Sequence, residues 1–511
     1  MPNTINRRDF ITTSTLAAFA ASSELTAAKG APGAVAAALD ENMPALTAVE
    51  AVTAIRRGDI RAENYAKTLI SRAERLVDLH SYIALNRDRL IESARAIDTS
   101  RRRGRRLGRL AGLPLLVKDN IDTQALPTTA GTRSLANNRP GQDALVLTPL
   151  FSAGALLMAK MNLHELAAGI TSTNAVYGAV RNPYAPKLIP GGSSGGTAAA
   201  IAARIAPAGL GTDTGGSMRI PPALCGVVGL RPTVANGRKR YSTQGVVPIS
   251  HTWDTVGSMG RSVEDVALLD SVITSQTTPR PVTLKGLRLG VPRRYFWENL
   301  DGELADVAES ALEKLRSAGA VLVDVDMGFV REHNLDAIPL YEIEPDITNY
   351  LAAAGGNVSF NDLVSQIASK DVAGLFALAK TIPKTAYDTA IATGRPQLQE
   401  LYADSFRQHA IAALVFPTTV LPARPINEGG DIGQDTVELN GAQVTTFQTY
   451  ARNTSPSASV GLPGLTLPAG LTKGGLPVGI EFDGLIYSDR ELLGIGMSVE
   501  TLFGTIPPPK I

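Results

Sequence analysis

The sequence predicts an α/β fold: a single large domain whose central sheet is covered by helices on both faces. Three observations predict it. Short apolar runs bounded by glycine and proline, Leu113 to Val117, Ala144 to Leu147 and Ala155 to Met158, have the length and flanks of buried strands. They alternate with helical segments such as Thr197 to Arg204, the alternation expected of a sheet covered on both sides. A further strand-helix-strand unit follows at Leu287 to Val291, Glu303 to Ser317 and Val321 to Val325. No internal repeat or low-complexity linker divides the chain, so residues 45–505 read as one folded unit.

Taken in order, the first element is an address label. Asn6-Arg-Arg-Asp-Phe-Ile11 sets two arginines before a weakly apolar, alanine-rich stretch from Thr12 to Ser23, which resembles a twin-arginine export signal. Residues 1–35 are therefore expected to be signal and disordered N-terminus. The destination is then the periplasm, or the cytoplasm if the signal does not function. The apolar stretch is too short for a permanent membrane span, so no stable membrane insertion is expected. From 45 to 103 the periodicity is helical, with one stripe through Leu46, Val49, Val52 and Ile55 and another through Tyr65, Leu69, Ala73 and Leu76. The basic run from Arg101 to Arg109 has no interleaved aromatics and reads as a solvated helix end and loop. Residues 330–450 are the least patterned and are expected to hold a substrate-shaping insertion or lid.

Composition narrows the partners. With 511 residues, 44% of them apolar, the chain can bury a large core without staples, and a net charge of +1 gives nucleic acid no purchase. The lone Cys225, in an apolar stretch, excludes an internal disulfide framework and reads as a buried core residue. A homodimer is left open.

Two glycine-rich turns each present serine: Pro190-Gly-Gly-Ser-Ser-Gly-Gly196 and Gly211-Thr-Asp-Thr-Gly-Gly-Ser217. Lys118 ends the apolar run in Gly112-Leu-Pro-Leu-Leu-Val-Lys118. Alone, the first turn would read as a flexible loop; beside the second turn and a lysine at the end of a buried strand, it reads as part of a Ser-Ser-Lys acyl-transfer site that needs no histidine. Neither turn carries the lysine of a phosphate loop, His164-Glu165 lacks the second histidine of a zinc helix, and no Gly-x-Ser-x-Gly elbow is present. No metal and no cofactor are expected.

Residues 110 to 262, with the tail segments Leu414 to Thr419, Gly461 to Pro468 and Gly475 to Gly479, resemble the amidase signature family. Its three motifs occur in order, with 75 residues from Lys118 to Ser193 and 24 from Ser193 to Ser217. The stretches Asn182 to Ser193, Ala206 to Gly211 and Tyr241 to His251 look most like the aryl-alkyl amide hydrolases of the mandelamide and indoleacetamide type. The resemblance implies a mixed central sheet, a catalytic domain over 45–505, and hydrolysis of a small aryl or aryl-alkyl amide. The alternative it allows is the amidotransferase component of a tRNA-dependent transamidation complex, which the lack of a basic stripe and the export signal disfavour. The sequence departs from the family pattern at Ser258, at Pro222 and in a short insertion from Ala235 to Arg240.

The resemblance assigns roles. Ser217 is the nucleophile, Ser193 the bridging serine after a cis Gly192–Ser193 peptide, and Lys118 the base. Amides of Thr214, Gly215, Gly216 and Ser217 are placed to converge on the developing oxyanion as a nest. To be a base, Lys118 must be neutral, so desolvation by the run Leu113 to Val117 is expected to bring its pKa from about 10.4 to about 7 or 8. Asp119 and Asp122 would oppose this, and are expected to face away or bond backbone amides. Ser194, Asp213 and Arg219 are expected to brace the turns. Ile170, Thr171 and Ser172, within Gly169 to Asn174, are expected to approach the acyl pocket with Tyr177, and more remotely Tyr450 and Asn453.

Overall fold

Eleven strands form one mixed sheet in a computed structural model that describes residues 42–235, 237–355, 357–427 and 436–511. The expected export signal lies outside the described residues. Residues Met43–Ile511 make up one compact unit. In chain order the strands are β1 (Tyr82–Leu85), β2 (Pro114–Lys118), β3 (Leu156–Met161), β4 (Ala208–Asp213), β5 (Val228–Arg231) and β6 (Thr255–Gly260). Then come β7 (Arg288–Val291), β8 (Val321–Asp324), β9 (Ala413–Pro417), β10 (Gly464–Leu471) and β11 (Pro477–Asp483). Their spatial order is β1-β3-β2-β4-β6-β5-β10-β11-β9-β7-β8.

Every residue of β2, β4, β6 and β11 is buried, as strands covered on both faces must be, and apolar or small residues fill most of their positions. β2 runs parallel to both β3 and β4, while β6 runs antiparallel to β4. Val117 lies opposite Leu210, so the carboxyl ends of β2 and β4 emerge side by side. That edge of an open α/β sheet is where such folds place their ligands.

Local chemistry sets the flanking helices. α1 (Ala48–Arg57) starts at a Thr47–Glu50 capping box and stops at Gly58, whose φ of 91° suits glycine. α2 (Ala62–Arg75) and α3 (Arg87–Arg102) follow; Leu46, Val52 and Ile55 of the first stripe and Tyr65, Leu69 and Ala73 of the second are buried, while Val49 and Leu76 are half-buried. The short α4 (Gly195–Ala202) is buried at every position. A Cβ on Gly196 would lie 2.2 Å from the Asn162 carbonyl oxygen, so small residues let this helix press against the neighbouring chain. Next come α5 (Ile220–Cys225), α6 (Val263–Ile273) with a Ser262–Asp265 capping box, and α7 (Gly302–Ser317), whose N-cap Asp301 accepts from Glu303 and Leu304. The unpatterned stretch holds α8 (Ala337–Ala353), α9 (Lys370–Ala379) and α10 (Arg395–His409). α11 (Asp489–Phe503) closes the domain, packing Leu492, Leu493 and Ile495 into the core that holds Leu465, Leu467, Ile480 and Phe482 of β10 and β11.

The structure corrects one expected strand. Ala144 to Leu147 is not a strand but a loop entering a short helix, Leu147–Ser152. Its apolar residues Ala144, Leu147 and Leu150 are spaced by three and all are buried, a helical period that a four-residue window cannot distinguish from a strand. The expected insertion after Val234 is a two-stranded ribbon, Val234–Ala235 pairing with Arg238–Lys239. Arg103, Arg105 and Arg106 are exposed past the end of α3, as a solvated helix end should be.

Candidate active site

Lys118 ends β2, and the turn from Asp213 to Ser217 leaves β4 next to it. Above both, the Pro190 to Ser194 loop enters α4 through a cis Gly192–Ser193 peptide. These three pieces of backbone bring the lysine and both serines into one line. Lys118 Nζ lies 2.8 Å from Ser193 Oγ, and Ser193 Oγ lies 3.0 Å from Ser217 Oγ. Lys118 is wholly buried, and burial holds its pKa down at about 7 against the opposing pull of Asp213 and Asp254. A primary amine at that pKa is substantially neutral at physiological pH.

Each turn is shaped by what surrounds its glycines. Gly216 has φ of 151°, and a Cβ there would lie 2.2 Å from Thr454 Oγ1, so the turn requires glycine on both counts. Among the described residues, the amides of Gly215, Gly216 and Ser217 donate to no protein acceptor, whereas the Met218 amide donates to Asp213 Oδ2 at 2.9 Å. Three amides at one bend beside Ser217 are thus left without a protein acceptor. A Cβ on Gly192 would lie 2.7 to 2.9 Å from the backbone of Ile170, Thr171 and Ser172, so the loop that carries Ser193 lies against that segment. Ser172 Oγ donates to the Ser193 carbonyl at 3.2 Å and accepts from the Gly195 amide at 3.0 Å. Its hydroxyl is thus committed to the loop.

Of the expected braces, Ser194 Oγ donates to the Thr212 carbonyl at 3.2 Å. Asp213 is buried beside two guanidiniums: burial pushes its pKa up, but Arg219 and Arg231 outweigh it and hold it at about 2. Arg219 donates to Asp213 Oδ2 at 3.1 Å and, from the other end of its fork, to Glu481 Oε1 at 2.6 Å, so the turn that carries Ser217 is tied to β11. Asp119 takes the Thr129 amide at 3.0 Å and pairs with the buried Lys160 at 3.0 Å. Asp122, whose pKa burial raises to about 6, accepts from the Tyr350 hydroxyl at 2.8 Å. Ile170 packs in an apolar cluster with Ile189 and Ile220, and Thr171 Oγ1 lies 3.4 Å from His164 Nδ1. Tyr450 and Asn453 are fully buried, the first bonded to the Pro422 carbonyl and the second to those of Phe296 and Pro417.

Residues 65–493 match the Amidase family model. The chain belongs to the amidase family. An indoleacetamide hydrolase of Agrobacterium vitis is 42% identical to this amidase over 90% of the chain and 97% of that protein. A mandelamide hydrolase of Pseudomonas putida is 36% identical over 92% and 94%. The fold agrees: the native peptide amidase of Stenotrophomonas maltophilia superposes with a TM-score of 0.76 at 30% identity, covering 91% of this chain and 98% of that one. The protein is therefore an amide-hydrolysing enzyme of the α/β class.

Sequence reasoning missed several contacts of this amidase's site. Thr212 Oγ1 lies 2.8 Å from Lys118 Nζ and accepts from Asn120 Nδ2 at 3.1 Å, a second anchor for the amine besides Ser193. The strand pairing carries the signal, because Thr212 stands on the neighbouring parallel strand, just past the residue facing Val117. Asp254, just before β6, accepts from Thr214 Oγ1 at 2.6 Å. Thr454 Oγ1 donates to the Gly215 carbonyl at 2.6 Å. Both come from segments distant in sequence, where no local pattern marks them.

Proposed function

We propose that the enzyme hydrolyses a small aryl or aryl-alkyl amide through an acyl-enzyme on Ser217, with Ser193 and neutral Lys118 as the proton relay. The observation that supports it most is the continuous Lys118–Ser193–Ser217 line, 2.8 and 3.0 Å per step, ending in an amine that burial keeps at a pKa of about 7. As Ser217 Oγ attacks the carbonyl carbon, its proton passes to Ser193 Oγ and the Ser193 proton to Lys118 Nζ. The carbonyl π pair moves onto oxygen, where the free amides of Gly215, Gly216 and Ser217, with that of Thr214 at the head of the turn, receive it. Lys118, now an ammonium, returns a proton through Ser193 to the departing nitrogen as the C–N bond breaks. Water then repeats the sequence on the ester, releasing the acid and restoring Ser217.

The similarity to indoleacetamide and mandelamide hydrolases supports an aryl-alkyl substrate. Hydrolysis of a panel of benzamide, arylacetamide, fatty amide, peptide amide and carbamate by the wild type, Ser217→Ala and Lys118→Ala tests this. Arylacetamide turnover that falls about 10⁴-fold or more in both variants is the expected result. Turnover confined to fatty or peptide amides would refute the substrate class. Undiminished turnover in Ser217→Ala would refute the mechanism. The twin-arginine motif supports export to the periplasm; fractionation of cells producing wild type and Arg7→Lys/Arg8→Lys should move the protein from periplasm to cytoplasm, and an unchanged distribution would refute export.

A further inference from the structure

We infer that Glu342, on a helix of the unpatterned stretch, is a positioning residue for the nucleophile turn. Its carboxylate is buried, and it accepts four hydrogen bonds. Oε2 takes Ser250 Oγ at 2.5 Å and the Thr252 amide at 3.1 Å; Oε1 takes Thr252 Oγ1 at 2.6 Å and the Tyr387 hydroxyl at 3.1 Å. His251 Nε2 stands 3.2 Å from the same Oε1. One turn later on α8, Asp346 takes the His251 amide at 2.5 Å.

The object of these contacts is the short turn that precedes β6. Its remaining amides are equally committed: those of Ile249 and Ser250 donate to Asp254 Oδ2 at 2.7 and 2.9 Å, and that of Trp253 to Ser250 Oγ at 3.0 Å. Three carboxylates thus fix the turn's backbone, and two of them come from α8. The third, Asp254, turns its other oxygen to Thr214 Oγ1 at 2.6 Å, at the head of the bend that carries Ser217. An apolar contact would hold α8 against the core, but only directional bonds fix the orientation of a loop. Tyr350, farther along α8, bonds Asp122 in the loop that follows Lys118. The helix therefore grips the segments beyond both ends of the Lys118–Ser193–Ser217 line. Glu342 acts through Ser250, Thr252 and Asp254, and touches no reacting atom.

This inference rests on the reading of Asp213 to Ser217 as the nucleophile turn. Steady-state kinetics and melting curves test it with Glu342→Ala, Glu342→Gln, Thr214→Val and Phe376→Leu. Phe376 lies in the same apolar cluster as Ile343 and Ile347 of α8 and serves as a control for loosened packing. Displacement of a catalytic turn by a fraction of an ångström costs about tenfold or more. Glu342→Ala is expected to lower kcat by about that factor with KM within about threefold. Glu342→Gln, which keeps one oxygen for the Thr252 amide, should recover most of the loss. Phe376→Leu should lower Tm and leave kcat unchanged. Glu342→Gln combined with Thr214→Val should cost less than the product of the single losses. If Glu342→Ala does not fold, the Gln variant and this double-mutant cycle carry the test. Wild-type kcat in Glu342→Ala, fully multiplicative losses in the cycle, or an equal kcat loss in Phe376→Leu at matched Tm would overturn the inference. Activity persisting in Ser217→Ala would instead bring down the nucleophile reading beneath it.

Discussion

Lys118 is a buried amine whose proposed role as base opposes the stability of the fold. Burial lowers its pKa to about 7, whereas the unfolded chain titrates near 10.5. Between these values the unfolded state binds a proton that the folded state lacks, so stability rises with pH across that window and the penalty is fully present below about 7. Lys118→Met, which keeps the length and removes the charge, should therefore raise stability at pH 6 by about 2–4 kcal/mol. That gain should shrink as pH approaches 10, as urea unfolding at several pH values would show; a pH-independent difference would contradict the assignment. In the active enzyme the same titration should make kcat/KM rise with pH through about 7, since only the neutral amine can accept the proton from Ser193. A profile flat from pH 5 to 9 would contradict it.

At the scale of elements, α2 has no side-chain cap of its own, because Arg61 stands at its N-cap. Asp98 of α3 supplies one across the helix pair, accepting the amides of Ala62 at 3.0 Å and Glu63 at 3.1 Å. Asp98→Ala should cost about 1–2 kcal/mol in urea unfolding and leave kcat unchanged. The sequence revealed α1 and α2 through their stripes, and α7 through its period, because those helices bury one face only. Ala144 to Leu147 misled for want of length. The helices between 330 and 409 stayed unreadable for a physical reason: α8 carries Pro345 within it and buries Glu342 among its apolar residues, so its pattern is broken where it meets the catalytic loops. The site shows the same division. Lys118, Ser193 and Ser217 stand in local motifs that the chemistry demands, whereas Thr212, Asp254 and Glu342 are joined to them only by the fold.

The whole molecule is held at its centre by charge as well as by apolar packing. Arg219 and Arg231, both fully buried, converge on Asp213 four residues before Ser217; Arg219 links it to Glu481 on β11, and Arg231 also bonds the carbonyls of Asp213 and Trp253. Removing one partner leaves buried charge uncompensated, so Arg219→Met should destabilise the domain by about 3–5 kcal/mol, read from the urea midpoint. A change below about 1 kcal/mol would show that the network relaxes around the loss. The central claim is that Ser217 carries the acyl group during turnover. The most direct measurement is peptide mapping by mass spectrometry of enzyme quenched in acid while hydrolysing an arylacetamide. An added arylacetyl mass on the peptide bearing Ser217, absent from Ser217→Ala, is the predicted result. An adduct on another residue, or steady hydrolysis by the Ser217→Ala enzyme, would contradict the account.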